Sequence, residues 1–479
     1  MSTTETYNLK YMLNSKSAFR ICCLFSAFFQ LITYLDYVFY AVTFVVFIWG
    51  IYLTAKSIFI NGAFKKAKYS SLILAMIVLS GATVIANITS PLLSTLITVS
   101  TAIINIVYLF LFFCDIKSDV NIIRKEIYII SKGLVYITSA CAVVGLILLI
   151  VFHRAVWIGD RSLIIYENRF KGLYINPNPM AFASVTGILS CLILRCRGFL
   201  LKTGKKPIRI RWFLLAFGLN GLALMLSVSN SGILLLSCFI FGILCYILFA
   251  GNSFKSFFTI VKKTLLFLIC CAVALFGLLT VRAGVNFSSG VLLSGEPIVS
   301  RELLAPTTEQ YNSELQTDDG LITFEHINTT FDSGRLKLYS KAVTSISETP
   351  VFGVGYGNIL YNGFIKTGKL FDYHNGYLTL AASNGIVFFA VFVIFGLLLA
   401  KRMTTVVFKL KLQSSKSVLP FLMCFIYGYC VYACVEPTMM FYPSYQVMFF
   451  WWILGCAFAL VKDFEKDFKN QLSFKDLKE

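Results

Sequence analysis

Apolar runs of about 20 residues recur from Ser17 to the far end of the chain, and they constrain its fold more than any other feature. A helix needs about 20 residues to cross the hydrocarbon core of a bilayer. The whole sequence is 58% hydrophobic with a mean hydropathy of +0.78, whereas an ordinary soluble domain is roughly 45 to 50% apolar. The sequence therefore predicts a membrane protein.

Polar or charged connections separate these runs, so the predicted spans can be counted. We predict an all-α polytopic integral membrane protein with about 12 transmembrane helices. The spans lie approximately at residues 18–34, 37–55, 71–89, 92–114, 132–152, 179–195, 212–228, 232–250, 264–281, 376–400, 418–435 and 444–461.

Lysine and arginine concentrate in every second connection, for example at 56–68, 196–211 and 401–411. Because cytoplasmic loops carry an excess of these residues, we expect these connections and both termini to lie in the cytoplasm. The formal net charge of +19 then needs no nucleic-acid partner, which would require a basic face on a soluble fold. The lipid bilayer is the expected surrounding.

The polar segment between the ninth and tenth spans is the longest connection. The chain therefore divides into helices one to nine (1–282), a large extracellular loop (283–373), helices ten to twelve (374–462) and a cytoplasmic tail (463–479). A loop of this length is usually functional or disordered. A second long outer connection covers 153–178.

Part of the large loop has the sequence pattern of a helix, in the stretch "DSGRLKLYSKAVTSISETP". The pattern consists of an N-cap candidate, an apolar stripe and a proline stop: Asp332 or Ser333, then Leu338, Ala342 and Ile346, then Pro350. These signals predict a helix whose first turn contains Arg335. The large loop is therefore expected to be partly helical.

The chain has only three histidines. His153 lies at the outer end of the fifth span, and His326 lies in a loop stretch without further signals. We interpret both as solvated or interfacial side chains. His374 follows Asp372, precedes Asn375 and stands at the start of the tenth span. Because an imidazole can accept a proton near neutral pH, His374 is a candidate general base at the membrane surface; the alternative is an interfacial side chain.

Two arginines in the outer segments are candidate anion-binding residues. Arg169 lies in "NRFKGLYINPNP", and Arg335 lies in the first turn of the predicted loop helix. Free backbone N–H groups at a helix start favour an anion, and a guanidinium can bind phosphate through two hydrogen bonds. The alternative is that each arginine pairs with a nearby carboxylate, such as Glu167 or Glu348.

The glycine-rich stretch "PVFGVGYGN" resembles a phosphate-binding loop only superficially. A dinucleotide fingerprint requires a preceding strand in a βαβ unit, so we expect Gly353, Gly355 and Gly357 to allow a tight turn instead. The fourteen cysteines lie in or beside apolar runs without metal-ligand spacing. We therefore expect no disulfide framework, no metal site and no cofactor.

Four stretches resemble the successive signatures of the O-antigen ligase and O-antigen polymerase superfamily: "NRFKGLYINPNPMAFAS", "LSVSNSGILLL", "SGRLKLYSKAVTSISETPVFGVGYGN" and "HNGYLTLAASNGIVFFAVFVIFGLLL". Together they cover roughly 165–400. The resemblance implies glycosyl transfer from an oligosaccharide donor to a glycan acceptor. The donor is linked to a polyprenyl diphosphate, such as undecaprenyl diphosphate. It implies an enzyme of capsule, O-antigen or other surface-polysaccharide biosynthesis, active on the outer face of the bacterial cytoplasmic membrane beside a flippase and a chain-length regulator.

The resemblance also implies roles for single residues. In this family one arginine before the Asn-rich turn and one at the start of the loop helix bind the diphosphate, which gives those roles to Arg169 and Arg335. The proposed base is the histidine of the His-Asn pair, here His374, with Asp372 beside it. The supporting residues are Asn375, Asn176, Asn178 and Gly355. Many relatives have Ser-Arg-Gly where this chain has "SNSG", so Asn230 replaces an arginine that is usual there.

Two other classes of protein stay open. A polytopic glycosyltransferase with an acidic base, often with a metal, would need a carboxylate in its first outer loop, which offers only Asp36; Asp318 and Asp319 form a further acidic pair. A lipid-linked glycan flippase or other transporter would need ionisable residues near the middle of its spans. Here Glu436 and Asp36 lie at span ends, and no internal repeat is visible.

Within the superfamily, polymerase and ligase use the same chemistry with different acceptors, so the sequence does not separate them. The Lys-, Ile- and Phe-rich composition would suit a low-GC bacterium. If that organism has no lipopolysaccharide, the polymerase is favoured.

Overall fold

A computed structural model of the protein describes the residues 12–114, 120–152, 156–158, 161–166, 169–250, 257–294, 335–367, 372–409, 417–440 and 443–476. Within these ranges the chain is mostly helical. Several residues that the sequence analysis discussed lie outside the described ranges: His153, Glu167, Asp318, Asp319, His326, Asp332 and Ser333.

The first part of the chain packs as a group of apolar helices. They are α1 (Lys16–Phe29), α2 (Leu35–Ala55), α3 (Ala63–Lys66), α4 (Ser70–Ala86), α5 (Leu92–Val107) and α6 (Val120–Phe152). Helices α2 and α5 each continue into a π-helical segment, Lys56–Ile60 and Tyr108–Cys114 respectively. Helix α1 ends at Phe29, and Tyr34 adopts a left-handed backbone (φ 71°) just before α2 begins.

A small antiparallel sheet follows α6, in the connection of residues 153–178. Its strands are β1 (Val156–Ile158), β2 (Arg161–Tyr166) and β3 (Arg169–Gly172), paired in the order β1-β2-β3. Hydrogen bonds hold its end to the turn after α1, from Thr33 N–H to Leu173 O (2.9 Å) and from Ile175 N–H to Leu31 O (2.8 Å). The helical class is confirmed, and this sheet is an addition that the sequence analysis did not predict.

The second part of the chain contains ten further helices within the described ranges. They are α7 (Pro177–Ile193), α8 (Arg197–Thr203), α9 (Ile210–Leu226), α10 (Asn230–Phe249), α11 (Phe257–Ser294), α12 (Arg335–Glu348), α13 (Tyr356–Thr367), α14 (Gly376–Lys409), α15 (Leu419–Tyr432) and α16 (Tyr445–Asp476). Helix α12 matches the predicted loop helix, because it starts at Arg335, buries Ala342 and ends before Pro350.

Seven helices in the described ranges are long and apolar enough to cross a membrane: α2 and α5 with their π-helical extensions, α6, α10, α11, α14 and α16. Helices α7 and α8 pass the same test as a pair bent by 74°, while α4, α9 and α15 are apolar but shorter. All twelve predicted runs coincide with helices, α1 included. The multi-pass helical architecture is therefore supported, and the count of twelve spans and their orientation stay predictions.

The helices differ greatly in how deeply they are buried. In α16, 89% of the most apolar stretch is buried, including Trp451 and Trp452. The corresponding figure for α11 is 6%. Helix α16 is thus a central core helix, whereas most apolar side chains of α11 are exposed, as expected for contact with lipid.

Helix α14 bends at Gly385, where the backbone has φ 83° and ψ 165°. The segment after α12 packs into this bend, since Pro350 O accepts the N–H of Ile386 (2.7 Å). A Cβ atom on Gly385 would lie 2.0 Å from Val351 O, and its φ lies in the region that only glycine adopts readily. The bend therefore fixes how the long loop returns to the helices.

Candidate active site

The turn that carries His374 is held by the cap of helix α14. Asn375 Oδ1 accepts the backbone N–H groups of Tyr377 and Leu378 (both 3.0 Å), which satisfies donors that a helix start leaves free. Asn375 Nδ2 donates to Cys434 O (2.8 Å). The predicted supporting residue Asn375 therefore joins the His374 turn to the segment that follows α15.

The backbone of Gly376 strengthens the same connection. Its N–H donates to Ala433 O (2.7 Å) and to Glu436 O (3.0 Å). A Cβ atom on Gly376 would lie 3.3 Å from each of these two oxygens. Two segments that are far apart in sequence are thus fixed side by side, which brings Glu436 next to His374.

His374 itself has an unusual conformation. Its φ is +47°, a left-handed backbone that non-glycine residues rarely adopt and that is often found at functional sites. The Asp372 carboxylate accepts the backbone N–H of His374 (2.9 Å) and so supports this turn. Nδ1 of His374 is buried without a hydrogen-bond partner among the described residues.

Burial governs the ionisation of Asp372. It raises the pKa of the Asp372 carboxyl, while the charge of His374 and the hydrogen bond from the His374 backbone lower it. Asp372 therefore supports the His374 turn through the backbone, and its carboxyl lies close enough to respond to the charge of the imidazole.

Glu436 is the carboxylate at the centre of the site. The residue is only 8% exposed, its Oε1 accepts a hydrogen bond from Asn178 Nδ2 (3.3 Å), and the same oxygen lies 3.8 Å from Arg335 Nη2. Burial raises the pKa of Glu436, whereas the charge of His374, a hydrogen bond from Ser231 and the charge of Arg335 lower it. Glu436 thus links both halves of the site electrostatically.

Arg169 lies at the start of strand β3 and points toward the turn between α9 and α10. Its Nε donates to Ser227 O (3.0 Å), and its Nη2 donates to Asn178 Oδ1 (2.8 Å). The alternative partner of Arg169, Glu167, lies outside the described residues. The guanidinium is fixed by two oxygens of the site.

Asn176 and Asn178 form the start of helix α7. Asn176 is the N-cap, and its Oδ1 accepts the backbone N–H of Asn178 (3.0 Å). Asn178 Oδ1 accepts from Ser229 Oγ (2.9 Å) as well as from Arg169. Because Asn178 also donates to Glu436, this amide connects the arginine on the sheet to the central carboxylate.

Helix α12 brings Arg335 to the other side of Glu436. Arg335 is the first residue of the helix, and its side chain is 26% exposed. Tyr339 Oη donates to Cys434 O (3.1 Å), and Ser345 Oγ lies 2.8 Å from Tyr373 Oη. These contacts dock α12 against both the segment after α15 and the His374 turn.

The glycine-rich segment has a packing role. Gly353 and Gly355 have φ values of +70° and +77°. The N–H of Gly353 donates to Thr349 O, and the N–H of Gly355 donates to Ser383 O, both at 3.0 Å. Since these amide groups already have backbone partners, they are not arranged to bind a phosphate, and Gly355 supports the site only through the bend of α14.

Asp36, the acidic candidate in the first predicted outer loop, lies in an ion pair. Its Oδ2 accepts from Arg161 Nη1 (2.7 Å), and the same guanidinium lies 4.3 Å from the ring centre of Tyr37. The guanidinium thus engages one of the two oxygens of this carboxylate. This contact weighs against the alternative in which Asp36 is the catalytic base.

Five predicted residues therefore meet in one place, together with Glu436, which the sequence analysis had noted only as a residue at a span end. We refer to Arg169, Asn178, Arg335, Asp372, His374 and Glu436 as the His374 cluster. Such a cluster, in a chain with many apolar helices, defines a multi-pass membrane protein with a charged site at the helix ends.

Residues 213–393 match the family model described as O-antigen ligase. The match includes Arg335 and His374, while Arg169 and Glu436 lie outside it. No curated protein matches the chain significantly. The match confirms the resemblance to the O-antigen ligase family for this part of the chain.

Proposed function

We propose that this protein is a membrane glycosyltransferase that moves a glycan from a polyprenyl-diphosphate donor to an acceptor hydroxyl, on the outer face of the bacterial cytoplasmic membrane. The product is a surface polysaccharide such as a capsule or O-antigen. The family match supports the reaction class. The observation that carries the residue roles is the convergence of Arg169, Arg335 and His374 around Glu436.

The two arginines suit a diphosphate leaving group. During transfer, the bond between the anomeric carbon and the diphosphate oxygen breaks, and the diphosphate departs with the electron pair. A guanidinium stabilises this anion through charge-assisted hydrogen bonds. Because the diphosphate is already a stable anion, the reaction needs no strong general acid, and its energy is stored in the donor.

His374 suits the role of general base. The acceptor oxygen forms the new bond to the anomeric carbon and gives its proton to the imidazole. The resulting imidazolium is stabilised by Glu436 and Asp372, whose ionisation already responds to the charge of His374. The two arginines therefore stabilise the leaving group, whereas His374, assisted by the two carboxylates, accepts the proton.

A reconstituted assay tests this function. The purified protein in proteoliposomes receives a polyprenyl-diphosphate oligosaccharide with either a second lipid-linked glycan or a different glycan carrier as acceptor. A ladder of products on the first acceptor indicates a polymerase, and a single transfer to the second indicates a ligase. Donor binding without any product under all conditions would contradict the proposal and favour a transporter.

Two further measurements separate the alternatives. Activity should persist in the presence of a chelator, because the proposed mechanism uses arginines and a histidine; loss of activity on chelation would favour a metal-dependent enzyme with an acidic base. A cysteine-accessibility map should find 283–372 outside the cell and 196–211 inside. Finding both segments on one side would contradict the proposed outer location.

A further inference from the structure

Helix α11 carries charge near the two ends of its apolar span, Phe258–Val285, and these charges set its depth in a bilayer. Its charged residues are Lys262, Lys263 and Arg282, and Arg282 follows Lys263 by 19 residues. At a rise of 1.5 Å per residue, this separation is about 28 Å, close to the roughly 30 Å of the hydrocarbon core. When the lysines lie at one membrane surface, Arg282 therefore lies at the level of the lipid phosphates at the other.

Arg282 reaches from this lipid-facing helix to the turn between α9 and α10. Its Nη1 donates to Asn230 Oδ1 (2.9 Å), and its Nη2 donates to Val228 O (3.1 Å). Arg169 binds the same turn through Ser227 O (3.0 Å). Two guanidiniums thus lie on one four-residue turn, although they come from a strand and a helix that are far apart in sequence.

The turn also belongs to the His374 cluster through Ser229. Ser229 Oγ accepts the N–H of Gly232 (3.2 Å) as the N-cap of α10 and donates to Asn178 Oδ1 (2.9 Å). Val228 has a left-handed backbone with φ +50°, a strained conformation for a β-branched residue. The turn is therefore a fixed part of the site, and Arg282 is attached to it from the lipid side.

The net charge of the His374 cluster indicates that a third guanidinium would help to bind a diphosphate. With both carboxylates ionised, Asp372 and Glu436 balance the positive charges of Arg169 and Arg335. The diphosphate of a sugar-linked lipid donor is a diester with two negative charges. Because the two guanidiniums and two carboxylates together carry no net positive charge, they attract such a group only weakly from a distance, whereas an additional guanidinium at the bilayer edge makes the site positive for an arriving donor.

We propose that Arg282 is a third diphosphate-binding residue, supplied by the lipid-facing helix α11 in place of a charged side chain at position 230. This inference rests on the proposed function, because it takes the donor to be a polyprenyl diphosphate. The polyprenyl tail stays in the hydrocarbon core while its diphosphate lies at the depth of Arg282. Arg282 is then the first guanidinium that the donor meets, and Arg169 on the same turn is the next.

A purely structural role for Arg282 makes a different prediction. If Arg282 only tethers α11 to the turn, then removing the tether should weaken the site even when a guanidinium is returned at position 230. If Arg282 binds the diphosphate, a guanidinium at position 230 should compensate. Asn230 is exposed at the start of α10, so an arginine side chain has room there.

The test is direct binding of undecaprenyl diphosphate to the full-length protein in phosphatidylcholine nanodiscs, with thermal unfolding measured in parallel. Arg282→Gln should raise the Kd about 10- to 100-fold, as expected for losing hydrogen bonds to a charged group. The double variant Asn230→Arg/Arg282→Leu, which returns the guanidinium but not the tether, should bind within a few fold of wild type. The matched control is Arg211→Gln, exposed at the far end of α9, which should bind like wild type.

Each result decides between the roles. Unchanged binding by folded Arg282→Gln overturns the inference and means that Arg282 contacts only ordinary lipid headgroups. Weak binding by a stable double variant also overturns it and leaves a tether. Because binding is measured without turnover, wild-type protein that binds the diphosphate but transfers no glycan would contradict the proposed function and not this inference.

Discussion

Two groups of buried charge in this protein are built in opposite ways. The first, which we call the Arg20 cluster, consists of Arg20, Glu126 and Trp452 beside the first turns of α6. Arg20 Nε and Nη2 donate to the two oxygens of Glu126 (2.8 and 2.7 Å), and Arg20 Nη1 donates to Leu111 O (3.0 Å). Trp452 Nε1 also donates to Glu126 (2.8 Å). The Arg20 and Glu126 side chains are 2% and 0% exposed.

The His374 cluster lacks this saturation. Arg335 and Glu436 approach only to 3.8 Å, the Arg335 side chain is 26% exposed, and Nδ1 of His374 has no hydrogen-bond partner among the described residues. A buried pair that is satisfied on every side gives the fold a fixed contact and has no capacity left for a ligand. An unsaturated cluster at the ends of helices can still bind a substrate. The comparison therefore separates a charge that serves folding from charges that serve a reaction.

The largest effect on turnover should come from His374. Replacing it by Ala, or by Asn, which tolerates the left-handed backbone better, should lower glycan transfer about 10²- to 10⁴-fold while donor binding persists, because general-base catalysis is lost. Product formation in proteoliposomes measures this, and an unchanged rate in either well-folded variant would remove His374 from the mechanism.

The Arg20 cluster should respond in the opposite way. Arg20→Met leaves Glu126 as an unpaired buried charge, which typically costs about 3–5 kcal/mol, so the yield of folded protein should drop while turnover per folded molecule stays near wild type. Adding Glu126→Gln removes the unpaired charge and keeps an acceptor for Trp452, so it should recover most of the yield. Size-exclusion chromatography and thermal unfolding measure the yield and stability of the folded protein. A loss of turnover without a loss of folded protein would contradict a purely structural role for the Arg20 cluster.

Arg169→Lys and Arg335→Lys should show the next largest effect. Lysine keeps the positive charge but loses the two-pronged contact with phosphate, so transfer should fall about tenfold or more while insertion into the membrane is kept. The expected loss is larger for Arg169, because its guanidinium also holds Ser227 O and Asn178 Oδ1. Near-normal product from both variants, with Arg211→Lys as the control, would mean that these arginines are ordinary surface residues.

The local features of the site could be predicted from the sequence, and the long-range ones could not. Arg335 was found because a helix start is a local pattern of cap, stripe and stop. Glu436 could not be assigned, because its partner Asn178 is 258 residues away and nothing near "EPTMMFYP" indicates which charge it faces. Arg282 was missed for the same reason, since its contact with Asn230 spans 52 residues.

The fold shows the same division. The apolar runs predicted the positions of the helices, because the hydrophobicity of each residue can be read directly from the sequence. The short lengths of α4, α9 and α15 could not be predicted in this way, because they depend on where turns interrupt the runs. The strands β1 to β3 were missed because they have three to six residues each and derive their order from pairing with one another. Tertiary hydrogen bonds, such as those from Thr33 and Ile175, decide where that sheet is placed.

The smallest expected effect is a dependence of stability on pH that arises in the His374 cluster. Burial raises the pKa of Glu436 above its ordinary value in the folded protein, so the folded state retains a proton that the unfolded chain has already released. Stability therefore falls as the pH rises from the ordinary carboxyl pKa through the raised one. Asp372 contributes in the same direction, since burial also raises its pKa.

Glu436→Gln should flatten this dependence, because the amide does not ionise. The variant should gain thermal stability relative to wild type as the pH rises, and it should lose turnover at the same time, since the carboxylate that would stabilise the imidazolium of His374 is gone. Thermal unfolding of both proteins across a pH series measures the effect, with Glu348→Gln on the exposed end of α12 as the control. A variant that loses stability at high pH would show that the Glu436 carboxylate is fully paired in the folded protein, as Glu126 is. The proposed difference between the two clusters would then be wrong.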